Sequence, residues 1–389
     1  MRFLHLHSSF QPGGKELRSA KLINAFGRGF EHTIVSAEPA ALSAAAAIDL
    51  GIRVDYPADF PPLAGSPLPG RLQRLARALK GYDLVLTYNW GAMDSVMAHT
   101  LFGQSLGLPP LVHHEDGFNQ DEVLRLKPGR NWYRRIALGR AAALVVPSQR
   151  LERIALEVWH QPRWRVKRIA NGIDTAAYGR KAKRDALPRL IKRPGELWLG
   201  TLAGLRPVKN LPRLVRAFAS LPEPWQLVIL GEGPEREAIR AEAMRLEIAH
   251  RVHLPGFATE PASALALFDL FALSSDSEQF PISLVEAMAA GLAVAAPAVG
   301  DVAGIVAEAN RPFISPVGDE DALAAALERL AGDKALRQSI GAANRIRARA
   351  DYDEKAMISA YRAIYFGAIE RHRQVESFSP ASRLGRQRS

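Results

Sequence analysis

The chain reads as an α/β protein of two Rossmann-like domains, each built on a parallel sheet. Three observations predict this. Short apolar runs alternate with helical segments along most of the length, as in successive strand–helix–strand units. The alternation is interrupted at residues 181–194, which carry six basic residues and two prolines, and then begins again. A length of 389 residues with 48% hydrophobic content is enough for two cores of ordinary size.

In order along the first half, strands are predicted at residues 2–7, 32–36, 84–87, 110–114 and 143–147. The Ala-rich residues 40–47 read most simply as a helix. In the second half, strands are predicted at residues 197–203, 226–230, 252–254, 267–273 and 293–296, with helices at 211–219 and 322–331. Asp319-Glu320-Asp321 suits the start of the latter, because acidic groups favour a helix N-terminus. A last helix over 354–372 has Met357, Ile358, Tyr361, Ile364 and Tyr365 at helical spacing. The expected domains are 1–180 and 195–353, joined by a linker at 181–194 and followed by a helix at 354–373. Residues 374–389, rich in Ser and Arg, are expected to be a disordered basic tail.

Composition excludes several chemistries. There is no cysteine, so disulfides, thiolate metal sites and thiol nucleophiles are ruled out. The opening Met-Arg-Phe-Leu-His-Leu-His turns polar too soon for a signal peptide, and no apolar run is long enough to span a bilayer. A cytoplasmic protein, peripheral at the inner face of the membrane, is expected. Charge is uneven: residues 1–193 carry a net +13 and the remainder −2. Within 125–168, twelve Lys and Arg face only Glu152 and Glu157, accompanied by Trp132, Tyr133, Trp159 and Trp164. Such a field suits an anionic membrane surface or an anionic, lipid-linked acceptor; plain solvated helices explain it as well. No recognisable nucleic-acid module accompanies it, and no nucleic-acid partner is expected.

The most informative stretch is Ser274–Gly291. An apolar strand precedes it, Pro281 suits the first turn of a helix, and Gly291 stops that helix. The N–H groups of the first turn, near Ile282 and Ser283, form a site for a phosphate. Glu278 in the loop and Glu286 in the helix are ill suited to phosphate and well suited to hydroxyls. A sugar nucleotide offers both, a diphosphate between two polyols. A capping loop with one acid on its outer face is the plainer alternative.

Glu278-Gln-Phe-Pro-Ile-Ser-Leu-Val-Glu286 resembles the Glu-x7-Glu motif of the retaining family 4 glycosyltransferases, whose fold is the two-domain GT-B type. Further matches occur in the family's order: Gly13-Gly14, Val146-Pro147-Ser148, Asn171-Gly172-Ile173-Asp174, Leu205–Asn210 and Gly231-Glu232-Gly233-Pro234. The resemblance implies a nucleotide-diphosphate-sugar donor held mainly by the second domain, a saccharide or lipid-linked acceptor on the first, and chemistry in the cleft between them. It also implies a final helix that crosses back to the first domain, and a reaction without metal or other cofactor. The setting it suggests is cell-envelope polysaccharide, lipopolysaccharide or glycolipid synthesis.

Residue by residue, Arg206 and Lys209 would neutralise the donor diphosphate, one as a fork and one as a point charge. Glu286 would hold the ribose and Glu278 the donor sugar, with Phe280, Pro281, Ile282 and Ser283 lining the donor. Gly231 and Gly233 would line the nucleotide side, although a structural turn explains them nearly as well. Their third partner is Arg236 instead of glycine, which argues against a dinucleotide fingerprint. Gly13 and Gly14 would let backbone approach the donor, and a tight turn accounts for them equally. Where many relatives have a histidine before Gly117, this chain has Asp116. Asp116 is expected to act in chemistry, with His114 as the substitute candidate. A sugar-nucleotide epimerase or hydrolase of the same fold is the rival reading, and a basic nucleic-acid-binding protein a remoter one.

Overall fold

The computed structural model describes residues 1–118, 120–122, 125–179, 185–187, 190–258 and 260–377. The chain divides into two compact units, Met1–Ala170 with Ile358–Ser389, and Asn171–Met357.

The first unit contains β1 (Arg2–His7), α1 (Gly14–Phe26), β2 (Glu31–Ser36), β3 (Arg53–Asp55), α2 (Pro69–Ala78), β4 (Leu84–Tyr88), α3 (Met93–Leu106), β5 (Leu111–His114), α4 (Pro128–Ala137), β6 (Ala143–Val146), α5 (Gln149–Glu157) and β7 (Val166–Arg168). Its seven strands are all parallel, in the order β3-β2-β1-β4-β5-β6-β7. The central strands β1, β4, β5 and β6 are buried almost without a break, with no solvent side to alternate toward, and the histidines of β1 and β5 are buried with the rest. The short edge strands β3 and β7 escape sequence detection for the opposite reason: most of their residues are exposed. The Ala-rich segment is a correction. Only Ser43–Ala47 winds, as one turn of 3-10 helix, with Ala44 N–H donating to Phe10 O at 2.9 Å. So short a run cannot repay helix nucleation without a longer apolar stripe.

The second unit contains β8 (Leu197–Leu202), α6 (Leu211–Ala219), β9 (Trp225–Leu230), α7 (Arg236–Arg245), β10 (Val252–Gly256), α8 (Pro261–Leu265), β11 (Leu270–Ala272), α9 (Ile282–Ala290), β12 (Val294–Pro297), α10 (Val302–Ile305), β13 (Ile314–Ser315), α11 (Glu320–Gly332) and α12 (Lys334–Asp351). Its six parallel strands run β10-β9-β8-β11-β12-β13. Asp319 caps α11, its carboxylate accepting from Ala322 N–H at 2.9 Å.

The division falls at Ala170, ten residues before the expected linker. Residues 171–178 are anchored in the second unit: Ile173 bridges to Asp353, and Thr175 Oγ1 donates to Asp353 Oδ2 at 2.7 Å. Residues 180–184 and 188–189 of the expected linker lie outside the described residues.

The last helix, α13 (Glu354–Ser377), begins in the second unit and from Ile358 onward belongs to the first. Tyr361, Tyr365, Ala368 and Ile369 are buried there, and Arg362 Nη2 donates to Ala25 O at 3.0 Å. The helix runs through Ser377, so residues 374–377 of the expected tail are helical; 378–389 lie outside the described residues.

Candidate functional site

In the second unit β8 and β11 are neighbours although the chain leaves them toward opposite edges of the sheet. Open parallel sheets bind ligands beyond the carboxyl ends of such a strand pair, where the following loops diverge. Arg206, Lys209 and Glu278 come from those two loops, and Glu286 from the helix that follows the second. After β8 the chain makes a 3-10 turn at Pro207–Lys209 and then forms α6; after β11 it crosses to α9.

The two loops are tied together. Ser274 Oγ donates to Lys209 O and Asp276 N–H to Val208 O, both at 2.9 Å, while Arg213 Nη1 meets Asp276 Oδ1 at 2.6 Å. Gly300, at φ +57°, passes beneath; a Cβ there would lie 2.3 Å from Glu278 O. On this frame the Lys209 ammonium pairs with Glu278 Oε1, which also accepts from Ser275 Oγ at 2.8 Å. Both side chains are largely buried, at 17% and 11% exposure. Glu286 lies in the second turn of α9 and accepts from Tyr178 OH at 2.9 Å. Burial, and then the adjacent Glu286 carboxylate, push the Tyr178 hydroxyl well above its ordinary pKa, so it stays a donor. Pro281 occupies the N-cap of α9 and supplies no side-chain acceptor, which suits the first turn to an anion. Arg206 is exposed at the head of its turn.

Three expected lining residues have structural duties. Phe280 packs edge-on against Tyr352, centroids 5.6 Å apart. Gly231 and Gly233 have φ of +144° and +154°, and Cβ atoms there would lie 1.9 Å from Ala203 O and 2.5 Å from Leu205 O. Their bare backbones let the loop after β9 close upon the loop after β8.

In the first unit, Gly13 is the N-cap of α1 and Gly14 its first residue; the Glu16 side chain folds back so that a Cβ on Gly13 would lie 2.7 Å from Glu16 Oε2. Lys15 pairs with Glu16, and burial holds the Lys15 ammonium down to a pKa of about 8. Asp116 follows β5 and is gripped by Arg18: Nη1 to Oδ1 at 2.5 Å and Nη2 to Oδ2 at 2.8 Å. Its N–H donates to Asn89 Oδ1 at 2.7 Å. Burial alone would raise the Asp116 pKa, but the Arg18 guanidinium outweighs it and keeps the carboxylate ionised. Asp116 is therefore half of a buried ion pair.

His114 is corrected. It is fully buried, donates from Nδ1 to Thr87 O at 3.1 Å, and accepts at Nε2 from Tyr365 OH at 2.8 Å. Burial, and then the Arg18 charge, lower its pKa to about 3. A neutral ring with both nitrogens engaged is a packing element, not an acid–base group. His113 is also buried, held by Thr87 Oγ1 at 2.8 Å.

The basic stretch is corrected in part. Arg134 and Trp159 are fully buried; Arg134 binds Glu122 through two bonds of 3.1 Å and Glu115 Oε2 at 3.3 Å, among the rings of Trp90, Phe118 and Trp159. Arg165 is buried too, donating to Ala141 O, Gln161 Oε1 and Gly139 O. Trp132 and Trp164 remain exposed. Among the described residues no group of three or more His, Asp or Glu is placed to hold a metal ion, and no helix is long and apolar enough to cross a membrane.

Sequence reasoning missed Arg18, Tyr178 and Tyr365. Tyr178 closes the run that starts at Asn171-Gly172, and Arg18 lies one helical turn past Gly14, so both were within reach of the motifs. Nothing local marks Tyr365 as the partner of a residue 251 positions away.

The family model "Glycosyl transferases group 1" matches residues 184–347, and "Glycosyltransferase Family 4" matches residues 13–177. Over 284 residues the chain is 26% identical to N-acetyl-alpha-D-glucosaminyl L-malate synthase of Bacillus anthracis, covering 72% of each chain. Over 270 residues it is 26% identical to a GDP-mannose-dependent alpha-mannosyltransferase of Mycobacterium tuberculosis, covering 67% of this chain and 68% of the relative. The structure of Anabaena HepE in complex with UDP superposes with a TM-score of 0.75 at 20% identity, over 93% of this chain and 98% of that one. At that identity the likeness speaks for the fold alone.

Proposed function

Because this chain belongs to the family 4 glycosyltransferases and has their GT-B fold, we propose that it transfers a sugar, with retention and without a metal ion, from a nucleoside-diphosphate donor to a saccharide or lipid-linked acceptor. The proposed setting is the cytoplasmic side of the membrane, in the synthesis of envelope polysaccharide, lipopolysaccharide or glycolipid. The observation that supports this reading is the Lys209–Glu278 pair in the loops that lead to α9, with Glu286 held by Tyr178 in the second turn of that helix.

Each residue has work suited to its chemistry. Lys209, Arg206 and the first turn of α9 supply the positive charge that a departing diphosphate requires. A diphosphate beside Lys209 competes with Glu278 for the ammonium and releases a carboxylate oxygen for a sugar hydroxyl. Glu286, oriented by Tyr178, accepts from the ribose hydroxyls. In the step itself the bond from anomeric carbon to phosphate oxygen breaks, the acceptor oxygen bonds to that carbon on the same face, and the leaving phosphate takes the acceptor's proton. No protein nucleophile is needed.

The test is a thermal-shift screen against UDP, GDP, ADP, CDP and their sugars, followed by product analysis with the sugar that binds. Stabilisation by one nucleoside diphosphate and its sugar, lost in Lys209→Ala, is the expected result. Indifference to all of them would sink the donor assignment.

A further inference from the structure

We infer that the outward face of α4, with the turn that carries Trp164, is a docking surface for an anionic lipid bilayer. The inference deepens the lipid-linked-acceptor reading, on which its biological purpose rests.

A surface helix normally turns its large apolar residues inward. In α4 the arrangement is reversed. Arg134 is fully buried, whereas Trp132 and Ile136, one turn apart, are 63% and 47% exposed. Arg135 stands between them on the same face, its guanidinium 5.5 Å from the centre of the Trp132 ring, and Arg140 continues the stripe. The neighbouring turn is fixed to this helix. Trp159 Nε1 donates to Asn131 Oδ1 at 3.0 Å, Gln161 Nε2 to Arg135 O at 3.3 Å, and Arg165 Nη2 to Gly139 O at 2.7 Å. That turn exposes Arg163 and Trp164, the latter at 63%.

Charge narrows the occupant. Lys127, Arg130, Arg134 and Arg168 are all matched by carboxylates, but among the described residues Arg135, Arg140 and Arg163 have no acidic partner. Three guanidiniums without a carboxylate, Arg140 donating only to the neutral Gln104 Oε1 at 3.1 Å, among two indoles and an isoleucine suit lipid headgroups, where Arg binds phosphate and Trp sits at the boundary of water and hydrocarbon. A soluble polyanion would engage the arginines and leave Ile136 and both indoles in water. A bilayer takes up both sets.

Co-sedimentation of the full chain with phosphatidylcholine vesicles, with and without phosphatidylglycerol, tests this at low and high salt. Binding is expected only to the anionic vesicles and is expected to weaken with salt. Arg135→Gln or Arg163→Gln should reduce it about fivefold each, and Trp132→Ser with Trp164→Ser by at least about tenfold. Equal binding to neutral vesicles, or undiminished binding by the Trp pair variant, overturns the inference. So does binding to polyphosphate that withstands the Trp changes and outcompetes the vesicles, since that would make the face a polyanion site. Nucleoside-diphosphate thermal shifts by the same variants should match the unaltered protein. A failed donor assignment would show there and leave vesicle binding intact.

Discussion

Asp116→Asn keeps the shape of the side chain and removes its charge, and the structure makes this change a matter of folding. Arg18 is 5% exposed and Asp116 13%, and two short bonds join them. Removing one partner of such a pair leaves a buried charge uncompensated, at about 3–5 kcal/mol; the residual exposure of Asp116 favours the lower figure, about 3 kcal/mol. For a unit of this size each kcal/mol moves the midpoint by about 2–4 °C, so the first unit should melt about 6–12 °C lower. The pH dependence has a definite sign. The folded carboxyl has a pKa below its unfolded value of 3.8, so its contribution is fully present above that value and fades as pH falls toward the folded pKa. The gap between variant and unaltered protein should therefore be constant near neutrality and shrink below about pH 4. Calorimetry across pH, with Arg18→Met and the double variant completing a cycle, measures the coupling. A midpoint change under about 2 °C at neutral pH, or no coupling in the cycle, would show that the pair is not holding the loop.

Other outcomes follow from the same geometry. Lys209→Ala should reduce kcat by about 10²–10³-fold and also lower the melting midpoint, because it leaves the largely buried Glu278 carboxylate without its cation; steady-state turnover well below that midpoint separates the two effects. Tyr178→Phe should raise the donor KM and leave kcat nearly intact, because it loosens Glu286; a fall in kcat alone would contradict that role. Glu278→Gln should act mainly on kcat, since the contact with the sugar strengthens as the bond breaks. Burial depresses the pKa of His32 to about 4 and of His114 to about 3, so the unfolded chain binds two more protons below the ordinary histidine range. Stability should fall with acid from about pH 6, approaching about 2.7 kcal/mol per pH unit from these two groups near pH 5; flat melting between pH 7 and 5 would refute it.

Much of this protein is legible in its sequence because parallel strands buried on both faces are rich in apolar residues, even where histidines interrupt them as in β1 and β5. The ten predicted strands all appear, within a residue or two for most, the largest trim being at β11. Those missed, β3, β7 and β13, are two or three residues long and lie at sheet edges. The Glu278 loop is legible since its residues are adjacent in sequence and face one way. The surroundings of Asp116 are not, because they bring together α1, β5 and α13 from opposite ends of the chain. The basic stretch misleads in a similar manner. Arg134 and Arg135 are neighbours and chemically identical, yet helical phase sends one into the core and the other to solvent.

The hydrogen bond from Tyr365 to His114 has a consequence for how the protein is made. A ribosome delivers residues 1–170 long before α13, so the nascent first unit waits with the His114, Tyr88 and Phe26 side of its sheet uncovered while the whole second unit emerges. Only α13, translated after the second unit, supplies the two tyrosines that cover it. A nonsense codon between Met357 and Tyr365 would thus damage the half of the protein that was translated first. Expression of residues 1–170 alone should yield a species that binds hydrophobic dyes and is cut readily by protease, and a synthetic peptide of residues 354–377 should protect it.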